Sequence, residues 1–309
     1  MKYFVGCWLL LLPVLSSQAC DICGCSAQST SLGFLPGENN HFVGFRYHHR
    51  RFFSEHPPVY AAAGESDTRD VFHTYEWWGR WAPHRRLHIF AFVPVNHAVM
   101  NGDDYRSIMA GVGDISLLAN VLLLDESQNG IGGRFSQNLL VGGGVKSPTG
   151  SFGAIDAERQ LILPNMQPGT GSWDYLFVLN YRVKTGNYGL NINASYRYNT
   201  PNEQRYQFGN QKLITVDGFR TIETEKWLFI PQIGARAEWI GQDYSNASRG
   251  DLNPYSGGHF AFASAALDVY RSNWGLTARA DLPVAQHFAQ GYIQQRLRFT
   301  VGIHLLFNN

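Results

Sequence analysis

The sequence predicts an all-β fold, an antiparallel up-and-down β-barrel of about 12 strands, and three observations lead to it. Apolar residues recur at period two, not 3.6, along most of the 309 residues. Thirty-two glycines and 14% aromatic residues cut the chain into short stretches and favour strands over helices. The links between these stretches alternate in length, as they must when one end of a sheet carries tight turns and the other carries loops.

The first element is not a strand. Met1 and Lys2 lead into an apolar run ending in Ser17, Gln18 and Ala19, the pattern of a cleaved export signal over residues 1–19. The run is shorter than the roughly 20 residues of a transmembrane helix. Cleavage would remove Cys7 and leave Cys20 as the first residue. Lipid attachment at Cys20 is the alternative, although Ser17 stands where that signal usually has Leu. Residues 20–38 then form a cysteine-bearing segment, and residues 39–309 the barrel.

The alternation begins in Val43, Phe45 and Tyr47 against Gly44, Arg46 and His48. It continues over Val71 to Trp81, Leu87 to Val95, Ile115 to Leu123, Phe135 to Val145, Trp173 to Val183 and Tyr188 to Tyr198. Trp227 to Trp239, Ala261 to Val269 and Trp274 to Leu282 follow. At the C-terminus Leu297, Phe299, Val301, Ile303, Leu305 and Phe307 share one face, opposite Arg296, Arg298, Thr300, Gly302, His304 and Leu306. Short links fall at Ala82 to Arg85, Lys184 to Asn187 and Arg271 to Asn273; long ones at Ser54 to Arg69, Asn96 to Gly111, Ser147 to Gly171 and Gly241 to Gly257. The alternation of link lengths holds only if a further strand lies in Arg205 to Val216.

Twelve wholly apolar faces need an apolar surround, which a lipid bilayer supplies, and a closed barrel leaves no unpaired backbone edge in it. A soluble β-sandwich is the alternative. Aromatic placement favours the membrane: Trp77, Trp81, Trp227, Trp274 and Phe307 group toward one rim, and Trp173, Trp239, Tyr196 and Tyr198 toward the other. The expected location is the bacterial outer membrane, with lipid as a partner and both termini in the periplasm. A net charge of +1 gives no reason to expect nucleic acid.

Five segments resemble outer-membrane proteins of the phenol-degradation MetA-pathway type: Gly111 to Leu123, Gly142 to Gly150, Met166 to Phe177, Tyr206 to Gln211 and Pro283 to Ile303. The likeness is strongest to a branch that opens with a CDxCGC segment, here Cys20 to Cys25. It implies an outer-membrane barrel and passage of small molecules, and leaves the solute open.

Three groups of residues carry chemistry. Cys20, Cys23 and Cys25 offer thiolates suited to Cu(I) or Zn(II); disulfide formation in an oxidising compartment is the competing expectation, and leaves one thiol over. Inward strand positions hold Arg46, Arg50, Arg80, Arg86, Lys146, Arg182, Arg197, Arg236, Arg279, Arg296 and Arg298 against Glu76, Asp114, Asp174, Glu238, Asp268 and Asp281. Such a lumen favours anions, or else its charges neutralise one another and brace the cylinder. His48 and His49 point to opposite faces and cannot share one ion. No nucleophile, base and acid can be placed together, so an enzyme is not expected. The expected function is a channel for a small solute; the alternative is a membrane-anchored component passing a soft metal to a periplasmic metal or redox protein.

Overall fold

The computed structural model describes residues 41–55, 67–103, 106–125, 135–153 and 163–307. Twelve strands close into one antiparallel barrel. They are β1 (His41–Ser54), β2 (Thr68–His84), β3 (Leu87–Asn101), β4 in two pieces (Arg106–Val112 and Ser116–Asp125), β5 (Phe135–Lys146) and β6 (Asp174–Thr185). The second half is β7 (Tyr188–Asn199), β8 (Gln211–Arg220), β9 (Leu228–Ile240), β10 (Gly258–Arg271), β11 (Trp274–Phe288) and β12, again in two pieces (Ile293–Gln295 and Arg298–Phe307). Each strand pairs with the next, and β12 pairs with β1 from Phe307 opposite His41 to Phe299 opposite His49. No edge remains, which is what a β structure in lipid requires.

One rim carries tight turns, such as the one between β6 and β7 where Gly186 adopts a φ of 56° that side-chain-bearing residues disfavour. The opposite rim carries the long loops, one of which holds a small hairpin of Tyr244–Asn246 and Asp251–Leu252. Among the described residues no helix is long and apolar enough to cross a membrane; the crossing elements are strands. The outward wall is apolar: Val43, Leu117, Phe177, Ile233, Leu276 and Val301 are exposed. Trp77, Trp81, Trp227, Trp274 and Phe307 are exposed on it toward the turn side, and Trp173, Trp239 and Tyr198 toward the loop side.

Four details depart from the sequence reading. The eighth strand starts at Gln211, not Arg205, because Tyr206 and Phe208 are buried in a loop. The third loop is shorter than Asn96 to Gly111, since β3 runs on to Asn101 and β4 resumes at Arg106. Arg86 is not a lumen residue: it lies exposed in the β2–β3 turn. Arg296 is not one either, because β12 breaks there; Phe52 faces Gln295 while His49 faces Phe299, so one extra residue is accommodated and Arg296 turns outward.

Candidate functional site

The interior is layered. Near the turn rim Phe42, Trp78, Phe90, Ile230, Tyr270 and Leu306 belong to one buried apolar cluster, which extends toward the middle of the barrel through Phe92, Leu118 and Leu176. Near the loop rim Phe52, Phe72, Met100, Phe260, Phe262, Phe288 and Ile293 form another, with Met166 from the β5–β6 loop inside it. Charged side chains lie between them. The expectation of a largely polar inner face is therefore corrected: both ends of the lumen are lined with aromatic and aliphatic groups.

Arg46 on β1 meets Glu76 on β2, its Nε donating at 2.9 Å, while His48 Nε2 lies 3.6 Å from the same carboxylate. The Arg46 guanidinium also rests 4.0 Å from the centre of the Trp78 ring, where the ring's electron-rich face favours a cation. On the other side a larger network spans the lumen. Arg236 Nε donates to Glu238 at 2.6 Å, Arg298 reaches both Glu238 (3.0 Å) and Asp281 (2.9 Å), and Arg279 reaches Asp281 (2.9 Å) and Asp217 (2.9 Å). Asp268 accepts hydrogen bonds from Gln232 and from Thr277, the latter at 2.5 Å. Arg50 is buried beside the Phe72 ring, 5.9 Å from its centre. In these pairs the opposed charges neutralise one another within and across strands, which offsets their desolvation.

The third feature holds the β5–β6 loop inside the barrel. Lys146, 1% exposed, donates to Asp114 at 2.6 Å and lies 2.8 Å from Asp174. It also donates to the Thr170 hydroxyl. Asp114 Oδ2 accepts from the Thr170 amide (2.9 Å) and hydroxyl (2.7 Å), and its Oδ1 accepts from the Gly150 amide at 2.9 Å. Asn96 on β3 donates to the carbonyl of Pro168 at 2.8 Å. Gly169 and Gly150 touch backbone to backbone, where a Cβ on Gly169 would come within 2.4 Å of Gly150. Asp114 can make these contacts because β4 is interrupted between Val112 and Ser116.

A second anchor ties this loop to its neighbours. Asn202 donates to the Thr170 carbonyl at 3.0 Å, and Tyr206 Oη donates to Asp243 Oδ2 at 2.6 Å while the Gly209 amide donates to Oδ1 at 2.7 Å. Burial pushes the Asp243 carboxyl up to about 6, against the pull of these two donors. Four of the segments that carry the family resemblance, around Asp114, Lys146, Thr170 and Tyr206, thus meet at one end of the barrel.

Of the candidate site residues, Arg46, Arg50, Lys146, Arg236, Asp268, Asp281 and Arg298 are buried inside, and Arg279 is nearly so; Arg86 and Arg296 are outside. Thr170, Asp217 and Met166 belong to the site and were not singled out from sequence. Cys20, Cys23 and Cys25, with their expected Cu or Zn, lie outside the described residues, as does the expected export signal over residues 1–19. Among the described residues no group of three or more His, Cys, Asp or Glu is arranged to hold a metal ion.

No family model and no curated protein matches the sequence. Solved structures do. The COG4313 outer membrane channel from Pseudomonas putida F1 superposes with a TM-score of 0.64 at 13% identity, over 89% of this chain and 97% of that one. This chain folds as an outer-membrane β-barrel. Two further superpositions are looser: the β domain of the Bordetella autotransporter BrkA, with a TM-score of 0.48 at 10% identity over 87% and 100% of the two chains, and a Pseudomonas aeruginosa FadL homologue, with 0.40 at 8% over 87% and 90%.

Proposed function

We propose that this outer-membrane barrel is a channel for a small solute, closed in the described state by its own β5–β6 loop. One observation carries the reading: the loop is held inside by reversible hydrogen bonds of its Thr170 and Gly150 to a Lys146–Asp114–Asp174 salt-bridge cluster on the wall, on a barrel that is otherwise complete. A loop serving only to fill the cylinder could be apolar throughout. A buried lysine between two carboxylates is a costly way to fill space, and it gives a fixed point from which the loop can detach as a unit. The ion pairs lining the middle of the lumen would then present fixed charges of both signs to a passing solute.

The fold likeness to an outer membrane channel supports this reading at the level of architecture. The test is conductance across planar bilayers for the wild type and for Lys146→Gln. A low, mostly closed wild type and a variant with larger or longer openings would bear the reading out. Equal conductance in the two, or none in either together with no solute flux into liposomes, would overturn it.

A further inference from the structure

The outward wall at the loop rim is not uniform around the barrel. From β6 to β9 it carries the aromatic residues Trp173, Tyr198 and Trp239, and Lys212 is an exposed cation beside Trp239. From β12 through β1 and β2 to β4 it carries Arg296, Arg51, Arg69 and Arg106, all exposed. Pairing places them in one arc. The Arg296 amide donates to the Arg51 carbonyl at 2.9 Å. Phe53, next after Arg51 on the outward face, pairs with Arg69, and Asn101 pairs with both Arg69 and Arg106. At about 4.8 Å per strand the arc spans about 19 Å of the wall.

Below the arc the side chains change character in order. His49, His73 and His97 stand in register on β1, β2 and β3, with ring centres 5.2 and 5.5 Å apart. Next toward the middle of the wall come Tyr47, whose hydroxyl is 2.6 Å from His73 Nδ1, and Tyr75. Phe45 and Trp77 follow. The wall thus runs from guanidinium through imidazole to aromatic, the same sequence as headgroup, interface and acyl chain in a lipid monolayer.

Among the described residues none of the four arginines forms an ion pair, whereas Arg46, Lys146, Arg236, Arg279 and Arg298 in the lumen all meet carboxylates. Guanidinium groups at the edge of a hydrocarbon region are costly unless they meet an anion, and their fork geometry matches phosphate. We propose that Arg296, Arg51, Arg69 and Arg106 form a docking site for the phosphate-bearing headgroup of an anionic lipid in the leaflet at the loop rim, its acyl chains lying over Tyr47 and Tyr75.

The test uses the full mature chain folded in detergent, with diphosphoryl lipid A as probe and phosphatidylethanolamine as comparison, read by native mass spectrometry. The wild type should retain the phosphorylated lipid and a variant carrying Arg51→Gln, Arg69→Gln, Arg106→Gln and Arg296→Gln should lose about tenfold or more of that retention. The pair Arg51→Gln with Arg69→Gln should fall between them, and serves if the quadruple variant does not fold by heat-modifiable gel migration. Arg85→Gln with Arg271→Gln, on the turn side, should retain lipid as the wild type does. Millimolar inorganic phosphate should leave retention unchanged. Equal retention by all variants, equal retention of phosphatidylethanolamine, or displacement by inorganic phosphate would each overturn the proposal, the last by pointing to an ion site instead of a lipid site.

Discussion

Arg298 on β12 meets Glu238 on β9 inside the barrel, Nη1 to Oε1 at 3.0 Å, although two strands separate them along the wall. Contacts of this kind act as struts, because they oppose ovalisation of a cylinder whose wall is one sheet thick. Arg298 also holds Asp281 at 2.9 Å. Removing it leaves two buried carboxylates sharing Arg236 and Arg279.

Arg298→Met should therefore cost about 3 kcal/mol, the range for breaking a buried pair from one side. Glu238→Gln introduced into that variant should cost less than it does in the wild type, by about 1 kcal/mol or more, because the two residues act together. Urea unfolding from detergent micelles, followed by tryptophan fluorescence, measures both. Additive effects would mean that the contact does no structural work.

The strand pattern and closure were legible in the sequence because lipid enforces an apolar outward face at strict period two. The lumen was less so. In Leu87 to Val95 the even positions include Phe90 and Phe92, and their apolar character was a readable sign that the inner face is not simply polar. The loop anchor was not readable: Asp114, Lys146 and Thr170 are far apart in the chain, and only closure of the barrel brings them together. Arg296 misleads because a single extra residue in β12 reverses the faces, which periodicity alone cannot register.

The outward face makes its own prediction. Ile233 lies mid-strand on β9 and is 76% exposed, so Ile233→Arg places a guanidinium in the hydrocarbon. It should destabilise the barrel by about 2–4 kcal/mol in bilayers, and far less in detergent, where the chain can reach water. Reversible folding into phosphatidylcholine vesicles compared with micelles separates the two environments.

Asp243 gives the loop cap a pH dependence. Its carboxyl titrates at about 6 in the folded protein, above the unfolded value of about 3.9, so folding takes up a proton between these pH values. The contribution of this group is full below about pH 4 and is lost as pH rises through 6, a change of up to about 3 kcal/mol. Hydrogen exchange at the Gly209 and Tyr244 amides should thus quicken from pH 4 to pH 7 beyond the intrinsic pH effect. In Asp243→Asn that excess should vanish.

The β5–β6 loop allows stability and closure to be separated. Lys146→Met leaves Asp114 and Asp174 buried without their shared cation, so it should both open the channel and lower stability by about 3–5 kcal/mol. Gly169→Ala acts on the loop alone. Its Cβ would lie 2.4 Å from the backbone of Gly150, which is itself pinned by Asp114, so the loop must move away at Gly169 while Lys146 keeps its carboxylates. Gly169→Ala should accordingly raise single-channel conductance in the same direction as Lys146→Met, with an unfolding midpoint closer to the wild type. Conductance unchanged in Gly169→Ala while Lys146→Met conducts more would place closure in the charge cluster and not in the seating of the loop.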